Sequence, residues 1–159
     1  MIKCILENGN QALLRHAAAD AIIVNKDNEI LLVKRASNLI NGGKYAIPGG
    51  LVDRDETTKE AAKREAFEET GYKVDPYLLF RVADNPDRSG EDRQNIAFFY
   101  VAKIIEGEKT LNDEVSEIGW FPLNNLPNEN EFAFDHYETI QLYIKYLKEK
   151  FELPVFGKI

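Results

Sequence analysis

The segment 50–72, with the sequence GLVDRDETTKEAAKREAFEETGY, restricts the fold and chemistry of this chain more than any other. Its pattern predicts a helix from about Thr58 to Thr70. Thr57 and Glu60 form a capping-box pair of the kind that begins a helix. Gly71 stands where a left-handed residue ends a helix and glycine is preferred. The local sequence therefore specifies both ends of this helix.

Three glutamates of the predicted helix, Glu65, Glu68 and Glu69, lie on one arc at 3.6 residues per turn. Like charges at spacings of three and four residues repel by about 0.2–0.5 kcal/mol per pair. A divalent cation between the carboxylates would reverse that cost, and hard cations such as Mg²⁺ take carboxylate and phosphate oxygens. The arc therefore indicates a metal platform beside a phosphate ligand, with a solvated acidic helix face as the alternative.

This segment resembles the Nudix box, which is Gly, five residues, Glu, seven residues, then Arg-Glu-aliphatic-any-Glu-Glu-any-Gly-aliphatic. The matching fixed positions are Gly50, Glu56, Arg64, Glu65, Glu68, Glu69 and Gly71. Ala66 and Tyr72 depart mildly from the aliphatic positions, which carry no chemistry. The resemblance extends from about Ala18 to Lys148. It implies a single Nudix hydrolase domain over residues 1–159, folded as an α/β/α sandwich with a mixed β-sheet between helices.

The resemblance also implies a reaction, the hydrolysis of a nucleoside diphosphate linked to another moiety by metal-activated water. Mg²⁺ is the implied cofactor, and Mn²⁺ is expected to substitute for it. The implied metal-site residues are Glu65, Glu68, Glu69 and the backbone of Gly49, of which Glu65 and Glu69 are also catalytic candidates. Arg64 would orient a box glutamate through a charge-assisted bond, or form a surface pair with Glu60. The implied structural positions are Gly50, Glu56 and Gly71.

The general base is expected from an acidic run ahead of Trp120, because in similar proteins a loop carboxylate or a box glutamate takes this role. The candidates are Glu114 and Glu117. In an extended segment, residues three apart point to opposite faces, so only one can face the site. Glu114 is the choice, because it lies nearer the expected loop. If both carboxylates are solvated, the role returns to Glu65.

The substrate is less constrained by the sequence. Pro86 stands fourteen residues after Tyr72, close to the place where similar ADP-ribose hydrolases carry a proline. The candidate substrate-binding residues are Arg35, Arg81, Pro86 and Arg93, with Arg88 as a further arginine, and packing or solvation is the alternative for each. ADP-ribose or another nucleoside diphosphate sugar is the favoured substrate. The alternatives are a MutT-like (d)NTP pyrophosphatase, for normal or oxidised nucleotides, and a nucleotide-sensing module without catalysis.

Other segments predict the elements around the box. The β-rich segments are Ala19–Asn25, Glu29–Arg35, Tyr77–Ala83, Asn95–Ala102 and Val115–Phe121, and the first two are expected to form a hairpin. A last helix is expected after an N-cap at Asp135, with an apolar stripe of Tyr137, Ile140, Ile144 and Leu147. His136 is expected at the surface. The order of strands, helix, strands and helix predicts an α+β class, in which helices cover a mixed sheet.

Charge and composition bound the partners. The net charge of −7 disfavours nucleic-acid binding, but it does not exclude a nucleotide small-molecule substrate, because a metal can carry the positive charge. No apolar run approaches the roughly 18 residues of a membrane span, and the N-terminus lacks a signal-peptide pattern. Together with the single Cys4, this predicts a cytoplasmic protein without a membrane partner. Residues 1–14 are expected to form an edge strand or a partner-binding arm, and residues 151–159 an apolar C-terminal tail. The sequence leaves open whether the protein forms a homodimer.

Overall fold

A computed structural model describes residues 1–87 and 93–157. In chain order its strands and helices are β1 (Ile2–Ile5), β2 (Gln11–Leu14), β3 (Ala17–Ile23), β4 (Glu29–Arg35), β5 (Tyr45–Ala46), β6 (Gly49–Leu51), α1 (Thr58–Thr70), β7 (Tyr72–Ala83), β8 (Ile96–Gly107), β9 (Val115–Pro122), α2 (His136–Lys148) and β10 (Val155–Phe156). A short 3₁₀ helix at Glu129–Glu131 precedes α2.

The strands form a five-stranded mixed sheet in the order β10-β7-β8-β3-β6, a three-stranded sheet in the order β5-β4-β9, and the separate pair β1-β2. In the mixed sheet β3 runs parallel to β8 and antiparallel to β6. The pairing with β6 places Asp20 opposite Gly49 and Ala19 opposite Gly50. The glycine-rich start of the box is therefore an edge strand of the main sheet.

The two helices pack on opposite faces of β3, because successive strand residues point to opposite sides. Ala19 packs with Ala61 and Ala62 of α1, and the small side chains let this helix lie close to the sheet. Ile22 belongs to the larger core that includes Ile140 of α2. A mixed sheet between two helices confirms the predicted α+β fold.

The box helix α1 has the predicted bounds, and the capping box is present in full. The Thr57 side chain accepts the Glu60 amide proton, and the Glu60 carboxylate accepts the amide and hydroxyl protons of Thr57. Gly71 has φ 77° and donates its amide proton to the carbonyl of Phe67. Local sequence therefore does specify this helix.

The predicted hairpin of Ala19–Asn25 and Glu29–Arg35 forms only at its turn, where the Asn25 amide donates to the Glu29 carbonyl at 2.9 Å, because β3 and β4 belong to different sheets. A single bridge between Val24 and Ile30 joins them. Leu31 and Leu32 are adjacent residues of β4 that point to opposite sides of the strand, and they are 1% and 0% exposed, so this strand is covered on both faces. The long-range pairing of β3 with β8 and of β4 with β9 separates the two strands.

The other elements differ from expectation mainly at their ends. β7 begins five residues before the predicted Tyr77, because its polar first half pairs with the end of β8. In α2 the buried face consists of His136, Thr139, Ile140 and Tyr143. Leu147 of the predicted stripe is 43% exposed.

The two chain ends take different positions. The C-terminal tail adds β10 to the main sheet, parallel to β7. The segment 1–14 forms its own hairpin β1-β2, in which Ile5 is 74% exposed and Leu13 is 62% exposed. Within residues 1–87 and 93–157, none of the helices combines the length and the apolar character needed to cross a membrane.

Candidate active site

A cavity of about 330 Å³ opens where the glycine-rich edge strand, the box helix and the start of α2 meet. Its charged and polar wall consists of Asp20, Arg35, Glu65, Glu69, Arg93, Asn95, Glu114 and His136. Gly49, Gly50 and Phe134 also line it. Carboxylates and arginines from five separated segments therefore face one space.

Glu69 is the most buried carboxylate of the box, at 4% exposure. Its Oε2 accepts the amide proton of Gly49 at 3.0 Å. The pKa of Glu69 is raised to about 8, mainly by burial and also by the charges of Glu65 and Asp20, while the Gly49 bond and Arg35 oppose the shift. A carboxylate held in this way favours either a proton or a cation beside it.

Glu65 lies one turn before Glu69 and is half-buried. Burial raises the pKa of Glu65, a bond from Arg64 opposes the shift, and the charges of Glu68 and Glu114 add to it. A Cβ at Gly50 would lie 2.5 Å from the Glu65 carboxylate. A side chain at this position would therefore displace the Glu65 carboxylate.

Arg64 ties the loop before α1 to the helix. Its Nη2 and Nε donate to the two oxygens of Glu56 at 2.6 and 3.1 Å. Its Nη1 donates to Glu65 at 2.7 Å and to Glu68 at 3.1 Å, and Nη2 also reaches the carbonyl of Leu51 at 2.9 Å. Arg64 thus orients three box glutamates, and its alternative partner Glu60 is engaged in the capping box instead.

The two loop carboxylates ahead of Trp120 point in different directions. Glu114 lines the cavity, and its charge contributes to the raised pKa of Glu65. The Glu117 carboxylate lies 3.7 Å from the ammonium of Lys34. Of the two, only Glu114 faces the box helix. Its role as general base remains a proposal.

The predicted substrate-binding arginines take two different environments. Arg35 and Arg93 line the cavity. Arg35 donates from Nε to the carbonyl of Ile40 at 2.8 Å, and its guanidinium lies 5.5 Å from the centre of the Phe134 ring. Both arginines are placed where an anionic substrate would lie.

The prediction that Arg81 binds substrate is wrong. This residue is 2% exposed, and its Nη2 lies 3.1 Å from the Asp135 carboxylate. Its Nη1 donates to Thr139 at 2.5 Å. The ion pair with Arg81 engages the Asp135 carboxylate, which explains why Asp135 makes no side-chain cap bond at the start of α2. Pro86 is exposed and is not among the cavity residues, and Arg88 lies outside the described residues.

Three polar cavity residues escaped the sequence analysis: Asp20, Asn95 and His136. His136 is 4% exposed, so its expected surface position is wrong. Its Nδ1 accepts the amide proton of Ile47 at 2.9 Å, and its Nε2 lies 3.9 Å from Oδ1 of Asp20. A signal for Asp20 was present, namely one carboxylate inside the apolar run 17–23. His136 also precedes the buried Ile140 by four residues, which places it on the apolar face.

The donor set of the cavity fits a hard divalent cation, since Glu65, Glu69 and Glu114 offer carboxylate oxygens and the raised pKa values mark a deficit of positive charge. Glu68 is 52% exposed at its side chain and lies on a neighbouring groove with Glu65 and Glu114. No three His, Cys, Asp or Glu side chains converge into a ready metal cluster within residues 1–87 and 93–157. Arg64 and the Gly49 amide engage the carboxylates instead.

The mixed sheet between two helices, with this acidic cavity at its edge, defines a class of hydrolases. The NUDIX domain family model matches residues 14–143, and the chain belongs to this family of pyrophosphate hydrolases, which use a divalent metal on nucleotide substrates.

Among its relatives, an ADP-ribose pyrophosphatase of Methanocaldococcus jannaschii is 39% identical over 133 residues, which cover 84% of this chain and 76% of that protein. An 8-oxo-dGTP diphosphatase of Escherichia coli is 32% identical over 90 residues, or 57% of this chain and 67% of that protein. The crystal structure of a NUDIX hydrolase from Nitrosomonas europaea superposes with a TM-score of 0.79 at 22% identity, covering 99% of this chain and 93% of that one, which shows the fold alone.

Proposed function

We propose that this protein hydrolyses the pyrophosphate bond of ADP-ribose or of another nucleoside diphosphate sugar, with Mg²⁺ as cofactor and Mn²⁺ as a substitute. The observation that carries the pyrophosphate chemistry is the charge pattern of the cavity, in which Glu65, Glu69 and Glu114 share one space with Arg35 and Arg93. The choice of ADP-ribose is supported by the relative of that name at 39% identity.

In this proposal Glu65, Glu68 and Glu69 hold the metal together with the backbone of Gly49. When bound, the metal neutralises phosphate oxygens and lowers the pKa of a coordinated water. Arg64 keeps Glu65 and Glu68 in orientation through its two Nη1 bonds.

The cavity wall supplies the remaining roles. Arg35 and Arg93 bind the diphosphate through charge-assisted bonds. Glu114 takes the proton of the attacking water, because it is the cavity carboxylate that belongs to a loop, whereas Arg64 and the Gly49 amide engage the box glutamates. Glu65 is the alternative base.

A product assay tests the substrate. Purified protein is incubated with ADP-ribose and Mg²⁺, and the products are separated by anion-exchange chromatography. We expect AMP and ribose 5-phosphate in equal amounts, and no turnover in excess chelator. A screen of dGTP and 8-oxo-dGTP runs in parallel.

The second candidate is a MutT-like (d)NTP pyrophosphatase, favoured by the 32% identity to the 8-oxo-dGTP diphosphatase. Release of a nucleoside monophosphate and pyrophosphate from 8-oxo-dGTP, without cleavage of ADP-ribose or other diphosphate sugars, would replace the proposal by this candidate. Tight binding of one of the tested nucleotides, without turnover of any tested nucleotide, would instead indicate a sensing module.

A further inference from the structure

We propose that His136 is a positioning residue that holds the glycine-rich strand β6 and thereby sets the orientation of Glu69. The inference deepens the proposed function, since it rests on Glu69 being a metal ligand. It concerns a residue at the start of α2, far along the chain from the box.

The first contact fixes the imidazole. Nδ1 of His136 accepts the amide proton of Ile47 at 2.9 Å, so the proton of a neutral ring lies on Nε2. Nε2 faces Oδ1 of Asp20 at 3.9 Å, an electrostatic contact longer than a hydrogen bond. The rings of Phe99 and Phe134 lie 5.6 and 5.5 Å from the imidazole. The ring is therefore held on several sides.

The second contact is with the glycine-rich segment itself. Ile47 is 1% exposed, and the carbonyl of Pro48 accepts the amide proton of Ala21 at 2.8 Å. Gly49 pairs with Asp20 in the sheet, and a Cβ on Gly49 would collide with the Asp20 carboxylate. Two residues after the His136 bond, the amide of Gly49 donates to Glu69 at 3.0 Å. A shift at Ile47 is therefore transmitted to the Glu69 carboxylate.

The third contact anchors His136. Its neighbour Asp135 is paired with the buried Arg81 at 3.1 Å, and Arg81 also donates to Thr139 in the first turn of α2. The start of α2 is thus fixed to β7, on the far side of β8 from β3. The backbone of His136 is therefore held in place at the start of α2. A side chain without an acceptor at the Nδ1 position would leave the buried Ile47 amide without its partner, and an unsatisfied buried donor destabilises the arrangement that holds it.

A pair of amide variants tests the inference. In His136→Asn the side-chain oxygen stands the same number of bonds from the backbone as Nδ1, so the Ile47 amide keeps an acceptor. In His136→Gln the oxygen stands at the Nε2 distance, and that acceptor is lost. Both replacements are neutral and polar, so they differ mainly in where the acceptor lies.

Three measurements are made on each folded variant: Mn²⁺ affinity by electron paramagnetic resonance, hydrogen exchange of the Ile47 and Gly49 amides, and kcat and KM on the substrate that the product screen identifies. For His136→Gln we expect about tenfold weaker Mn²⁺ binding, loss of protection at both amides, and a kcat at least about tenfold lower with KM changed less than about threefold. His136→Asn is expected to stay within about threefold of the parent protein in all of these.

Equal losses in the two variants, or unchanged Mn²⁺ affinity in His136→Gln, would overturn the positioning role. If His136→Gln does not fold, His136→Asn decides alone, and a tenfold loss of Mn²⁺ affinity in it overturns the inference, whereas retention supports it. Mn²⁺ affinity and amide exchange do not depend on the substrate. If ADP-ribose is not cleaved but these two respond as expected, the proposed substrate fails and the positioning role stands.

Discussion

Two pairs of glutamates in the box region carry the same side chain in opposite electrostatic surroundings. Glu56 accepts two bonds from Arg64, which lower its pKa, and the bonds from Thr57 lower the pKa of Glu60. Burial instead raises the pKa values of Glu65 and Glu69. The first pair has its donors built into the fold. The second pair is buried with too little positive charge nearby, which is the condition that a metal would relieve.

Burial beside the cavity, and not residue type, therefore separates the two pairs of carboxylates. Arg64 contacts one member of each pair, since it donates to Glu56 in the loop and to Glu65 on the helix. It satisfies the first carboxylate with two bonds and the second with one. Arg64 therefore leaves the buried carboxylates on the cavity side of α1 with too little positive charge, which a cation would supply.

The largest expected effect on kcat comes from removing the negative charge of a predicted metal ligand on α1. Glu69→Gln keeps the shape of the side chain, and we expect at least about a hundredfold loss of kcat, as for other removals of a key electrostatic contact. We expect a loss of the same order for Glu68→Gln. The rates are measured at saturating Mg²⁺ with the substrate found in the product screen.

The matched control for these two variants is Glu60→Gln. Glutamine also serves in a capping box, so this change alters charge on the same helix without disturbing its start. We expect its rate within about twofold of the parent. Full activity in both Glu69→Gln and Glu68→Gln would remove the metal assignment.

A smaller effect is expected from the loop carboxylate. Glu114→Gln should lower kcat by about tenfold to a hundredfold if Glu114 takes the proton of the attacking water. Glu117→Gln is the paired control, because its carboxylate lies beside Lys34, outside the cavity wall. A fall for Glu117→Gln alone would reverse the assignment. An unchanged rate in both variants would return the base role to Glu65.

The pH dependence of stability sharpens the comparison without any activity assay. The raised pKa of Glu69, about 8 against an ordinary 4.5, means that the folded protein binds this proton more tightly than the unfolded chain. The stabilisation is complete below pH 4.5 and is lost as pH rises through 8. In chelator, we expect the thermal midpoint to fall between about pH 6 and pH 9, by several degrees.

Glu69→Gln should remove most of that fall, because glutamine does not titrate. Mg²⁺ should raise the midpoint of the parent more at pH 9 than at pH 6, since a metal ligand must be deprotonated. The lowered pKa values of Glu56 and Glu60 contribute stability that is complete above their ordinary pKa of 4.5 and is lost only as pH falls through the lowered values, so they do not affect this interval. A parent midpoint that does not change over this interval would contradict the raised pKa.

The smallest effect is expected on the free energy of unfolding, from the ion pair between Glu56 and Arg64. Glu56→Gln keeps the length of the side chain but loses the charge that pairs with Arg64. Since the Glu56 side chain is 15% exposed and Arg64 keeps its bonds to Glu65 and Glu68, we expect a loss of about 1–2 kcal/mol in the free energy of unfolding. Urea denaturation measures it. A loss below about 0.3 kcal/mol would place this pair among ordinary surface ion pairs.

Much of this molecule follows from short-range sequence patterns. The bounds of α1, the capping box of Thr57 and Glu60, and the left-handed Gly71 all depend on neighbours within one or two helical turns. The arc of box glutamates likewise follows from helical spacing alone. Backbone geometry acts over three or four residues, so a linear sequence already contains it.

Tertiary structure alone decided which members of these patterns are buried. Helical spacing treats Glu68 and Glu69 as neighbours on one arc, yet packing on the sheet buries Glu69 and leaves Glu68 half exposed. Arg81 looked like a substrate ligand, but its burial beside Asp135 makes it a support for α2. His136 reaches the Ile47 amide across 89 positions of sequence. Contacts of that range depend on how sheets and helices pack, because no local spacing relates residues that meet only when the chain folds.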